Sequence, residues 1–321
     1  MAPKRSQSRQ KALRQGGASG RPRPAEAATT GGGGSQARRQ PSRSYRKPQR
    51  SFWRGPYPYA GILAVVVIAV LVFVIVSRMT SGTPQSGNIS QAVKDATSVS
   101  SSVFDQVGTG SLNSSQLPIS AVKAPTSLTG SDGKPEVLYM GGEYCPYCAA
   151  ARWVMLTALS RFGTFSGVQS MFSSSTDVYP NTPTFTFHYA KFTSQYVDFV
   201  PVEMWSRSAS ARDAPDLQKP TAQQQQLMNT YDSSGGIPFL LIGGKYVGST
   251  PYNPQVLAGR DQQQIASNLS DPSQQTTQAI IGNANLLTAT ICSVTNGSPS
   301  AVCGSTGVQK AGQLLGINPS S

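Results

Sequence analysis

Gly141-Gly142-Glu143-Tyr144-Cys145-Pro146-Tyr147-Cys148 decides how this chain is read. Immediately before it stands a short apolar run, Val137-Leu138-Tyr139-Met140, of the length and composition of a buried strand. After it, Ala151, Val154, Met155, Ala158 and Phe162 recur at three- and four-residue steps, which predicts a helix, with Gly163 as its stop. The order is strand, turn, Cys-x-x-Cys, helix. In that context the two cysteines point to redox chemistry. A thiolate attacks a disulfide, whereas a thiol does not. A cysteine at the start of a helix sits beside unpaired backbone N–H groups and the positive end of the helix dipole, and both stabilise the thiolate. Cys145 is therefore the expected nucleophile and Cys148, three residues on, the expected resolving thiol. Pro146 suits the first turn because the N–H it lacks has no partner there.

These residues resemble the active site of the thioredoxin superfamily. The Pro146-Tyr147 dipeptide is similar to that of many glutaredoxins, and Glu143-Tyr144 resembles the acidic-aromatic pair ahead of the cysteine in protein disulfide isomerases. Gly236-Ile237-Pro238, followed by Phe239-Leu240-Leu241-Ile242, resembles the strand start that faces the cysteines in such folds. The resemblance implies an α/β, thioredoxin-like fold with Pro238 as a cis-proline. It also implies a substrate-binding surface on Tyr144, Pro146, Tyr147 and Ile237. Across residues 120–303 the chain further resembles an uncharacterised family of membrane-anchored thioredoxin-like proteins. That match rests on Gly133-Lys134-Pro135-Glu136, the Glu143–Cys148 segment, Arg152-Trp153, and Ile291-Cys292 through Pro299 to Cys303. It carries a fold but no established activity.

A Cys-x-x-Cys can also be half of a zinc site, but then a second Cys-x-x-Cys or a His pair is needed. The remaining cysteines, Cys292 and Cys303, have ten residues between them, and His188 is the single histidine. No metal and no cofactor is expected. Cys292 and Cys303 flank a turn-rich loop with Asn296-Gly297 and Pro299. A structural disulfide is the favoured reading, and a relay to Cys145–Cys148 is the rival.

The charge is unevenly placed. Of 27 Lys and Arg and 14 Asp and Glu, residues 1–54 hold fourteen basic side chains and one acid, Glu26; the remaining thirteen of each sign cancel. The net charge of +13 therefore belongs to a tail. Residues 1–56, rich in Arg, Gln, Ser and Gly, lack the apolar content for a core and are read as a disordered cytoplasmic tail. Gly31–Gly34 is no phosphate loop, since no Gly-Lys-Ser/Thr follows. Tyr45, Phe52 and Trp53 interleave with arginine, but nucleic acid is not the expected partner; the tail is read as fixing membrane orientation. From Tyr57 to Ser77 the chain runs 21 residues without a charge, and a spanning helix needs about 20. Residues 57–78 are expected to be a single transmembrane helix, with the lipid bilayer as partner. The charged stretch ahead of the span is too long for a cleaved signal peptide. The positive-inside rule places everything after Arg78 outside the cell membrane. All four cysteines then lie where disulfides persist.

Residues 79–130 are read as a stalk and lead-in, with a short helix over Val93–Val107 and an irregular stretch from Asn113 to Pro125. Residues 131–303 are the extracytoplasmic domain with a C-terminal helical extension, and 304–321 a tail. Cys148 and Pro238 lie 90 positions apart, about twice what a minimal thioredoxin-like domain uses, so an insertion is expected over roughly 174–221. Within it Phe185, Phe187 and Tyr189 alternate with polar residues, as in a strand, and Tyr196–Met204 reads as another. The insertion either widens the sheet or shapes a surface beside Cys145. His188 falls on the polar face of its strand. Pro220–Tyr231 reads as a helix, Gly243-Gly244 as a hairpin turn, and Pro254–Leu269 and Thr277–Ile291 as helices. The expected function is membrane-anchored thiol–disulfide exchange on cysteines of exported proteins, with a membrane redox partner as a further candidate. The alternative is a redox-inactive binding protein of the same fold, with Cys145–Cys148 as a permanent structural disulfide.

Overall fold

The computed structural model describes residues 67–68, 90–115, 117–209 and 215–320. The basic tail, most of the expected span and the start of the stalk lie outside the described residues. Of residues 1–74, Val67 and Ile68 are described, and both are helical. Among the described residues no helix is long and apolar enough to cross a membrane.

The elements from Gln91 onward form a mixed α/β arrangement. Helices α1 (Gln91–Thr97) and α2 (Ser101–Val107) lead in, followed by β1 (Ile119–Ala121), β2 (Glu136–Gly142) and α3 (Pro146–Leu159). An insertion carries β3 (Gly163–Ser166), β4 (Gln169–Phe172), β5 (Pro183–Thr186) and β6 (Lys191–Ser194). Then come β7 (Asp198–Trp205), α4 (Ala222–Tyr231), β8 (Phe239–Ile242), β9 (Tyr246–Gly248), α5 (Gln262–Asn268), α6 (Gln275–Val294), α7 (Ser300–Cys303) and α8 (Thr306–Leu315). The main sheet has the order β1-β9-β8-β2-β7. Strands β2 and β7 are parallel, and β8, β9 and β1 each run antiparallel to their neighbour.

The apolar run at β2 is buried on both faces, and alternation sends its side chains to two different cores. Val137 and Tyr139, with Leu240 and Ile242 of β8, join the core shared with α3 and α6. Leu138 and Met140, with Phe239 and Leu241, join a smaller core closed by Met228 of α4. Two helical layers therefore sandwich the sheet. Between β8 and β9, Gly243 and Gly244 both take positive φ (56° and 69°), and Ile242 pairs with Tyr246, so the connection has three residues instead of two.

Several expectations need correction. Gly163 does not cap α3; Ser160 does, and Gly163 opens β3. The Pro254–Leu269 helix is split into a 3₁₀ turn at Pro254–Leu257 and α5, with Gly259 between them at φ 72°. The stretch read as irregular holds β1, which pairs with β9. The insertion expected over 174–221 is displaced: its last strand, read over Tyr196–Met204, is β7 at the edge of the main sheet, and the inserted segment is 163–194, which adds no strand to that sheet because β3–β6 and β4–β5 are separate two-stranded ribbons. It instead covers the outer side of α3: Trp153 Nε1 donates to the Pro183 carbonyl (2.9 Å) and Thr184 Oγ1 to that of Ala149 (3.0 Å). Every residue from Cys148 to Leu159 is consequently buried, so beyond the half-buried Tyr147 α3 has no solvent face.

Both ends of the domain also extend further than expected. Asn285 of α6 donates to the Phe104 and Gly108 carbonyls at the end of α2 (2.8 and 2.7 Å), and the Arg161 guanidinium lies 4.3 Å from the Phe104 ring centre. The segment read as a tail carries α8, whose Val308 and Ala311 are fully buried in the core shared with α6.

Candidate active site

The cysteine pair is placed by the junction of β2 and α3. Strand β2 ends at Gly142, where the register with β7 shifts, and the chain turns through Glu143 and Tyr144 into the helix. Glu143 N–H donates to the Trp205 carbonyl at the end of β7 (2.8 Å), which holds the turn to the sheet. Cys145 is the N-cap of α3 and Pro146 its first residue. The Cys145 sulfur accepts the backbone N–H of Cys148 at 3.3 Å, so the thiol takes the place of the hydroxyl or carboxylate that usually caps a helix. The two sulfurs are free thiols, so the permanent bridge of the binding-protein alternative is not formed here.

The pair is electrostatically split. A hydrogen bond with the Cys148 thiol holds Cys145 below the ordinary cysteine range; the Cys148 and Tyr147 N–H groups and the Arg152 charge act in the same direction, against burial. Burial pushes Cys148 well up, and its neighbour Cys145 adds to that. Cys148 is fully buried and Cys145 is 5% exposed. Cys145, the expected nucleophile, is thus nearly sealed from solvent.

Around it stand Tyr144, Tyr147, Trp205, Ala209 and Ile237. Tyr144 meets the edge of Trp205 (6.2 Å between ring centres), and Tyr147 meets Tyr179 of the insertion (5.8 Å). Ser174 N–H donates to the Tyr144 carbonyl (2.9 Å), so the insertion touches the cysteine turn directly. Pro238 is buried at the head of β8, its bond to Ile237 is cis, and the register puts the following Phe239 opposite Met140. The structure therefore brings together Cys145, Cys148, Tyr144, Pro146, Tyr147, Ile237 and Pro238. It places His188 elsewhere, on the insertion beyond β5, beside Tyr189.

The other two cysteines are far from this cluster. Cys292, near the end of α6, is disulfide-bonded to Cys303 of α7, and both are fully buried. Val294 lies against Gly243, at the end of β8 away from Pro238. The length of that strand separates the two pairs, so the buried disulfide touches no thiol of the first.

Sequence reasoning missed the frame behind the pair. Arg152 and Glu203 are fully buried. Arg152 Nε and Nη2 grip the two carboxylate oxygens of Glu203 at 2.8 and 2.6 Å, and Nη2 also donates to the Gly142 carbonyl (2.8 Å). Glu203 further accepts the Phe187 N–H (3.3 Å). This bidentate pair ties α3, the end of β2, β7 and the insertion together. A signal for it existed: Arg152 is a lone charge in an apolar helix, and Glu203 an acid flanked by Val202 and Met204 in a largely apolar strand, so each required a buried partner. Among the described residues, no group of three or more His, Cys, Asp or Glu side chains could hold a metal.

The family model described as Domain of unknown function (DUF929) matches residues 121–293. That is more than half of the chain, and the chain belongs to this family. Comparisons with curated proteins and with solved structures find no match.

Proposed function

We propose that this member of the DUF929 family is a membrane-anchored, extracytoplasmic thiol–disulfide oxidoreductase, built on a thioredoxin-like domain and acting on cysteines of exported proteins. The observation that carries the reading is the division of labour between two thiols on one helix start. Cys145 caps the helix and is held toward thiolate; Cys148 is sealed behind it and held toward thiol. A partner disulfide is attacked by Cys145, and Cys148 then displaces the partner from Cys145. The thioredoxin-like reading is supported by connectivity. The cysteine helix joins parallel β2 and β7 by way of the insertion, α4 covers the opposite face, and the antiparallel β8–β9 hairpin starts at Pro238. The extracytoplasmic reading is supported by the charge asymmetry around residues 57–78 and by the Cys292–Cys303 disulfide.

The test uses glutathione disulfide as the partner. Cys148→Ser is expected to accumulate one glutathione on Cys145, read by intact mass, while Cys145→Ser accumulates none. The near-complete burial of Cys145 favours a second reading, a redox-inactive binding protein with a groove at Ile237 and Pro238. Absence of the adduct from Cys148→Ser is the outcome that selects it.

A further inference from the structure

Two buried donors stand behind the cysteine pair with no acceptor: Nη1 of Arg152 and the hydroxyl of Tyr139. Both side chains are fully buried. A fold generally pairs such groups or replaces them with apolar ones, so two orphans on neighbouring side chains call for an explanation. Neither can turn away to find a partner. The Nε and Nη2 groups of Arg152 are committed to Glu203 and the Gly142 carbonyl, which fixes the plane of the guanidinium. The Tyr139 hydroxyl lies against Gly141 so closely that any Cβ there would collide with it. The guanidinium carbon is 6.0 Å from the Tyr139 ring centre, so the two donors share one region. Arg152 follows Cys148 by four residues on α3, which places the two side chains on one helix face. Tyr139 reaches the same side of the sheet as α3. The charged and titratable groups around Cys148 are Cys145, Tyr139, Tyr144 and the Arg152–Glu203 pair.

We propose that Tyr139 and Arg152 are positioning residues for the resolving step: a fixed pair of donors that accepts the negative charge arising when Cys148 becomes a thiolate. The inference rests on the exchange reading above and adds what that reading lacks, a way to ionise a sealed thiol. The step balances as follows. In the mixed disulfide, Cys148 loses its proton and its sulfur attacks the Cys145 sulfur. The Cys145–Cys148 bond forms, the bond from Cys145 to the partner breaks, and the electron pair leaves on the partner sulfur, which takes up a proton. Over both exchange steps the two cysteines are oxidised and the partner disulfide is reduced to two thiols; the reverse runs through the same states. Donors left open in the resting protein are what this demands, because a donor already paired would have to break a bond to serve the thiolate.

Tyr139→Phe is the informative variant, since it removes only the orphan hydroxyl. In the full-length chain carrying Cys145→Ser, the thiolate absorbance of Cys148 is titrated with and without Tyr139→Phe. The donor pair predicts an upward shift of about one pH unit, a tenfold loss of thiolate. Arg152→Lys, which keeps the charge but not the free arm, is expected to shift it in the same direction. With Cys145 restored, the Cys145–glutathione mixed disulfide of Tyr139→Phe should resolve about tenfold more slowly, while alkylation of Cys145 is unchanged. A filler role would leave both readouts where they are, and an unmoved Cys148 titration overturns the proposal. Failure of Cys148→Ser to form the glutathione adduct would sink the exchange reading instead; the titration still decides the donor pair.

Discussion

The chain holds two cysteine pairs, and they differ in nearly every respect that governs sulfur chemistry. Cys145 and Cys148 open a helix, are free thiols, and sit in an apolar ring of Tyr144, Trp205 and Ile237 with a charged pair behind them. Cys292 and Cys303 close a helix end onto the short α7, are bonded to each other, and have no solvent access. At the first pair, exposed N–H groups and a positive dipole end favour thiolate. At the second, Cys292 lies near a helix C-terminus, where the field has the opposite sign. The lesson is that position relative to a helix end, more than spacing alone, distinguishes the free thiols from the buried disulfide. A relay from Cys292–Cys303 needs contact with the first pair, and β8 runs between Gly243, beside Val294, and Pro238.

This contrast can be attacked from either side. The largest expected effect comes from the frame under the first pair. Glu203→Gln leaves the Arg152 charge buried without a counter-charge, and breaking such a pair costs about 3–5 kcal/mol. Denaturant unfolding should show the loss, and cysteine exchange should fail with it. Removing the second pair should do less and do it differently. Cys292→Ser with Cys303→Ser opens a loop with a sequence separation of 11. It is expected to lower stability by about 3 kcal/mol on chain-entropy grounds. The exchange rate of Cys145 measured below the melting temperature should stay within a factor of about two, since the two sites are too distant to couple. An unchanged melting temperature together with lost exchange would make the second pair a relay and erase the contrast.

How much of this was legible in the sequence depends on the range of the interaction. The Cys-x-x-Cys, its strand and helix, Pro238 and the Gly243-Gly244 turn are local patterns, and they were readable. The cap role of Cys145 followed from the same locality. What escaped depends on partners distant in the chain. α8 looked like a tail because Val308 and Ala311 are buried only through contact with α6. β1 looked irregular because its three residues are held as a strand only by β9. The Arg152–Glu203 pair joins residues 51 positions apart, and the insertion that buries α3 on its outer side gives no periodic sign of where it will fold back. The deep seat of Cys145 has the same origin, since Trp205 and Ile237 come from separate strands' ends.

The most direct test of the division of labour is the pH dependence of alkylation in the two single-cysteine variants, Cys148→Ser and Cys145→Ser. A depressed pKa means that Cys145 holds its thiolate as the pH falls below the free-cysteine value of about 8.5 and loses it only lower down. Cys148, pushed up by burial, gains its thiolate only as the pH rises above that value. The account predicts that Cys145 reacts faster at neutral pH with a midpoint below that of free cysteine, and that Cys148 reacts slowly with a midpoint above it. A faster Cys148 at neutral pH, or equal midpoints for the two, would contradict it.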